Sequence, residues 1–186
     1  MNNLLRNVLM RRSIYKFDSR QIKDEELLEI LEEGKLLSNA ANNQAWHFTV
    51  VQNRYVLKKL NEEASSVFAK EPGMERESKL QEDYGLLATV PMLLIISGRD
   101  NLKYAEDAAN TVFGSMMLVA EKYGISSCWI SSISQLFSVN AGKEVREMIS
   151  IPHGYEPLCV GTFGYKEAIV RPNAFFSEDN VVNIIK

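Results

Sequence analysis

Cysteine is scarce in this chain, and several other absences narrow its possible functions. Two cysteines, Cys128 and Cys159, stand among 186 residues, too few to staple a secreted disulfide scaffold. With no base beside them in sequence, they are expected to be small buried hydrophobes. Histidine is equally rare: His47 adjoins a strand-like run and His153 lies in a Pro-His-Gly turn. Neither has a partner at metal-ligand spacing, so no metal is expected. Long apolar runs are also missing. The most apolar strand-like stretch, Val90 to Ser97, is far too short to span a bilayer. Met1 to Arg6 opens neither the apolar core nor the cleavage site of a signal peptide, so a cytoplasmic protein is expected, with no membrane partner. A formal net charge of -3 argues against a general nucleic-acid binder. There is no glycine-rich dinucleotide fingerprint, no P-loop and no His-Glu-x-x-His pair. A nucleotide-like ligand would have to be held by scattered side chains.

What remains suits one domain over residues 1–186, with 46% hydrophobic and 24% charged residues. Leu4, Leu5, Val8 and Leu9 predict a short amphipathic helix ending near Arg11. A second helix runs from Asp24 to about Leu37, with Glu25 and Glu26 at its positive end. His47 to Val51, Met92 to Ser97 and Leu158 to Phe163 are dense in β-branched and aliphatic residues and predict strands. Leu57 to Leu87 is charged and helical in composition, broken at Glu71-Pro72-Gly73, and suggests two helices forming an outer cover. Asp107 to Tyr123 is apolar almost all round and stops at Gly124. Such a helix needs burial on several sides, in the monomer core or in a dimer interface, and the interface is the favoured expectation. A further helix is expected over Ala141 to Ile149. Helices outnumber strands without regular alternation, which points to an α+β fold.

Three segments carry candidate binding chemistry. Arg11-Arg12-Ser13 follows a helix and offers guanidinium groups that match phosphate oxygens in a fork. Arg171 follows the last strand, where the chain can return to the same place. Taken singly, each arginine would serve equally as a solvated surface group. Between them, Ser38 to Trp46 is rich in amides, which donate and accept together as ribityl hydroxyls and a uracil-like edge require. An ordinary helix-to-strand connection would favour the same residues.

Together these segments resemble the nitroreductase family of flavin enzymes, nearly end to end. In that family an Arg-Arg-Ser motif binds the phosphate of FMN. The loop pattern Pro-Ser-x-x-Asn-x-Gln-Pro-Trp is matched by Asn42, Gln44 and Trp46, while Ser38, Asn39 and Ala45 depart from it. Gly124 to Ile130 is similar to the family's Gly-Leu-Gly-x-x-Trp segment. The resemblance implies FMN binding by Arg11, Arg12, Ser13, Tyr15, Asn39, Asn42, Gln44, Lys166 and Arg171. It also implies an interlocked homodimer around a mixed or antiparallel sheet flanked by helices. The implied enzyme is an NAD(P)H-dependent oxidoreductase working by ping-pong hydride transfer. Flavin N5 carries the hydride to a nitroaromatic, quinone or enone, so no catalytic side chain is required. One departure matters. Many relatives carry Lys or Arg where this chain has Tyr15, a position near the N1–C2=O end of the flavin, where positive charge favours the reduced form. Lys16 or backbone N–H groups would have to replace it. The alternative is a flavin-binding sensor or storage protein with little turnover.

Arg11→Ala should remove charge-assisted bonds of about 1.5–3 kcal/mol each and weaken FMN at least about tenfold. Arg171→Ala should behave alike and Glu32→Ala should not. Fluorescence titration of FMN into apoprotein checks all three, and an unchanged affinity for Arg11→Ala would refute the phosphate assignment.

Overall fold

Four runs of β-branched and aliphatic residues pair into one antiparallel sheet, and helices cover both of its faces. The computed structural model describes residues 3–36, 46–68, 87, 89–99, 105–130, 136–137 and 142–167. In chain order the elements are α1 (Asn3–Met10), α2 (Asp24–Leu36), β1 (His47–Val51), α3 (Arg54–Phe68), β2 (Met92–Arg99), α4 (Ala105–Lys122), β3 (Ile125–Trp129), α5 (Gly142–Met148) and β4 (Tyr155–Tyr165). The strands lie in the order β1-β2-β4-β3, every pair antiparallel. β2 is buried from Met92 to Gly98 because strands flank it and helices cover it. This explains why its sequence is a continuous apolar run without alternation.

The two faces of the sheet make two cores. On one, Leu93, Ile95, Cys128 and Val160 meet Leu57, Leu60 and Ala64 of α3 and Val145 of α5. On the other, Met92, Leu94, Ile96 and Phe163 meet Ile30 of α2 and Ala109, Val112, Phe113 and Met116 of α4. The α+β expectation holds, with an antiparallel sheet. Among the described residues no helix is long and apolar enough to cross a membrane.

The structure adjusts several sequence expectations. Seven residues of α4 are buried within the single chain: Ala105, Ala109, Val112, Phe113, Met116, Met117 and Ala120. The expectation that this helix serves chiefly as an interface is therefore replaced by a core role, since the sheet and α2 already remove its apolar face from water. Ile125 to Trp129, within the segment after Gly124 that resembles the family's, is a strand not among those predicted. Its serines hid it, and pairing with β4 makes it. β4 extends the expected strand at both ends, to Tyr155 and Tyr165. α3 begins at Arg54, three residues early, because Asn53 Oδ1 accepts from the amides of Tyr55 at 2.9 Å and Val56 at 3.2 Å and caps the helix. The second helix expected before Leu87 lies outside the described residues.

α4 closes on β4 at one point with no room to spare. A Cβ built on Gly161 would stand 2.0 Å from Phe113 Cζ and 2.7 Å from the Cys128 carbonyl oxygen. Phe113 is itself held edge-on to Phe163 at a centroid distance of 5.3 Å. Gly161→Ala should overpack this contact at a cost of about 1–3 kcal/mol. The melting temperature should drop by about 2–4 °C per kcal/mol, read by calorimetry. Both cysteines are buried, and burial pushes the Cys159 thiol up to about 12. At pH 8 neither should react quickly with a chromogenic disulfide in the native protein, and both should react once it is unfolded.

Candidate active site

β3 ends the sheet order, so its outer edge needs a partner, and the basic run after α1 supplies it. Ser13 bridges Ser127 in parallel fashion, and the Ile14 amide donates to the Ser127 carbonyl at 3.2 Å. Farther along, the Asp18 amide donates to the Tyr165 carbonyl at 2.7 Å, and Phe17 bridges Lys166. Ile14 and Phe17 are buried in the core on the α3 side. Two apolar anchors and a few backbone bonds thus fix the basic run against the ends of β3 and β4. This sets the basic run that carries Arg11, Ser13 and Tyr15 alongside β3 and its Phe17 against Lys166, about 150 residues away in the sequence.

The two arginines are placed differently. Arg11 is half-buried just past α1, and its amide still donates to the Asn7 carbonyl at 3.0 Å. Arg12 is exposed and turns its guanidinium back to donate to the carbonyls of Leu9 at 3.0 Å and Arg11 at 2.7 Å. It caps the C-terminal end of α1, where carbonyl oxygens lack partners. Ser13, Lys16 and Lys166 are exposed. Tyr15 is partly buried and packs against the cluster that contains Cys128. Of the other residues read from the sequence, Asn39, Asn42, Gln44 and Arg171 lie outside the described residues. Trp46 behaves as a core residue: its ring packs on the α4 side of the sheet, within 3.3 Å of where a Cβ on Gly98 would stand.

Charge at this edge is felt by groups the sequence did not single out. Burial raises the Cys128 thiol above its ordinary range, while hydrogen bonds from Tyr15 and Ser13 and the charge of Arg11 oppose that shift. Burial likewise raises the Glu121 carboxyl, and the charges of Lys166 and Arg11 pull it back. Glu121 is half-buried in the last turns of α4, two residues before the turn into β3. On β3, Ser127 is fully buried, and its hydroxyl has no hydrogen-bond partner among the described residues. No local signal marked Ser127, because only its bridge to Ser13 places it beside the basic run.

The far end of β4 is tied down separately. The Tyr165 hydroxyl donates to the Glu26 carboxylate on α2, and the Arg20 guanidinium lies 3.7 Å from the centroid of the Tyr165 ring. The hydrogen bond from Tyr165 holds the Glu26 carboxyl below its usual range. Among the described residues, no group of three His, Cys, Asp or Glu is placed to hold a metal ion.

Comparison with known proteins agrees with this geometry. The family model described as the nitroreductase family matches residues 8–165. A protein of Archaeoglobus fulgidus, provisionally named NADH dehydrogenase/NAD(P)H nitroreductase, is 28% identical over 170 residues, covering 89% of this chain and 86% of its own length. The crystal structure of a nitroreductase with bound FMN from Bacteroides fragilis is 25% identical, covers all of both chains and superposes with a TM-score of 0.84. A second nitroreductase with bound FMN, from Desulfitobacterium hafniense, shares the fold at 20% identity with a TM-score of 0.86, again over the whole of both chains. With the family match spanning the basic run, the whole sheet and the helices between them, this chain belongs to the nitroreductase family.

Proposed function

We propose that the chain is an FMN-dependent oxidoreductase that passes hydride from NAD(P)H to a nitroaromatic, quinone or enone acceptor in a ping-pong cycle. The observation that carries this reading is the seating of the basic run on the sheet, with Ser13 on Ser127 of β3 and Phe17 on Lys166 at the end of β4. A guanidinium, a hydroxyl and an ammonium form a donor set suited to a phosphate monoester dianion. The FMN bound in the solved relatives carries such a group, and the A. fulgidus relative's name supplies the nicotinamide donor. Asn39, Asn42, Gln44 and Arg171 complete the proposed binding set by family resemblance. When bound, FMN supplies the hydride-accepting and hydride-donating chemistry, so the protein need only bind and orient.

The residues divide that work. Arg11 and Lys166 attract the phosphate and Ser13 offers it a neutral donor. Ile14 and Phe17, by burying their side chains, keep the run from moving. Arg12 stiffens the end of α1 and so fixes where Arg11 begins. Tyr15 packs beside Cys128, which limits its ring and directs its hydroxyl. A second reading, a flavin-binding sensor or store, is favoured by that same residue, since a phenol brings no positive charge to the flavin. A homodimer is part of the proposal. Leu5, Val8 and Leu9 expose about half of their surface along α1, an apolar stripe of the kind a partner covers. Two free cysteines suit the reducing cytoplasm.

Anaerobic absorbance spectra of the purified protein, before and after adding NADH or NADPH, test the proposal. The expected result is a yellow protein that bleaches rapidly with one of the two donors. A yellow protein that neither donor bleaches would support the store or sensor. Protein that stays colourless after incubation with FMN would refute both.

A further inference from the structure

Lys166 follows the last residue of β4, and the basic run holds its backbone from one side. The Asp18 amide donates to the Tyr165 carbonyl at 2.7 Å, the Glu167 amide donates to the Lys16 carbonyl at 3.5 Å, and Phe17 bridges Lys166 between them. Phe17 also packs closely here, since a Cβ on Gly164 would stand 2.9 Å from its Cδ1. Two backbone bonds at the end of a strand do not by themselves prevent fraying. A side chain anchored to another element would.

Tyr165 is that side chain. It is buried in the cluster that contains Ile22 and Ile30, and its hydroxyl donates to the Glu26 carboxylate in the first turn of α2. The Arg20 guanidinium covers its ring at 3.7 Å from the centroid. Glu26 is itself mounted firmly. Its carboxylate accepts from the Lys23 amide at 3.4 Å, while the Lys23 carbonyl accepts from the Leu27 amide at 2.9 Å, which is one half of a capping box. Between the basic run and α2, Gln21 Nε2 donates to the Pro91 carbonyl at 3.0 Å and fixes the connecting segment. The anchor for β4 is thus the start of a helix.

Filling the core would not require the hydroxyl, because a phenylalanine ring occupies nearly the same volume. A hydroxyl bonded to a carboxylate adds direction, and such charge-assisted bonds are the strong kind. Side chains alternate along a strand, so fixing the Tyr165 ring on the α2 side also fixes the direction in which the exposed Lys166 leaves the chain. We propose that the Tyr165–Glu26 hydrogen bond positions Lys166 for an anion, with Tyr165 and Glu26 acting on a phosphate-bearing flavin only through that lysine. This rests on the phosphate role of Lys166 proposed above and adds two positioning residues to it.

The test is the affinity of the apoprotein for FMN and for riboflavin, the phosphate-free probe, by fluorescence quenching. The proteins compared are wild type, Tyr165→Phe, Lys166→Ala and the double variant. Tyr165→Phe keeps the ring beneath Arg20 and removes only the hydroxyl. It should weaken FMN about three- to tenfold, no more than Lys166→Ala does, and leave riboflavin affinity unchanged. In the Lys166→Ala background the same change should have no further effect on FMN, because the residue through which it acts is gone. Glu26→Gln, which keeps an acceptor for the hydroxyl, should retain more FMN affinity than Glu26→Ala, and this pair gives a second readout that leaves Tyr165 intact. Equal losses of FMN and riboflavin affinity in Tyr165→Phe would overturn the proposal and make the hydroxyl a general brace of the fold. An effect of Tyr165→Phe that persists in full without Lys166 would overturn it as well. If Lys166→Ala leaves FMN affinity unchanged, the phosphate reading of Lys166 falls and the positioning role with it. If Lys166→Ala weakens FMN while Tyr165→Phe and Glu26→Ala change nothing, only the positioning role fails.

Discussion

The attachment of the basic run to the outer edge of β3 is the constraint on which the rest of the site depends. An exposed sheet edge carries unpaired amides and carbonyls that invite pairing with other chains. Here Ser13 and Ile14 meet that edge and Phe17 and Asp18 meet the end of β4, with Ile14 and Phe17 buried beneath. Protecting the edge and positioning the basic run are thus one structural event. A chain that failed to seat these two side chains would lose the position of Arg11 together with the closure of the sheet.

Two cores on opposite faces of the sheet give that event a rigid frame. α4 runs so close over β4 that only glycine fits at position 161 beneath Phe113. The same helix leads at its far end through Gly124 into β3. Cys128 lies buried on the α3 side of the sheet, where Tyr15 packs against its cluster, and its thiol donates to the Trp129 carbonyl at 3.4 Å. Tight binding of a phosphate would come from local charges alone, since the net charge of the chain is -3.

Much of the architecture was legible from residue patterns. α2 and β1 fall where Asp24 and the run His47 to Val51 place them, because helix-end charges and strand-forming residues act over a few neighbours. β3 was not legible, because Ser126 and Ser127 carry little strand signal and become strand only through β4. α4 read as an interface helix because an apolar sequence says that burial occurs without saying against what. The candidate site divided in the same way. Arg11, Ser13 and Lys166 were nameable from motif resemblance. The capping by Arg12 depends on how α1 ends.

The sequence by itself determined the helix and strand propensities, the absence of metal-ligand spacing and phosphate-loop motifs, and the basic run with its family resemblance. Those are properties of residue type and short spacing. The tertiary structure decided where the basic run is seated and that Ile125 to Trp129 forms a strand against β4. The seating depends on contacts between segments more than a hundred residues apart, Ser13 with Ser127 and Phe17 with Lys166, and only the folded sheet brings such segments together.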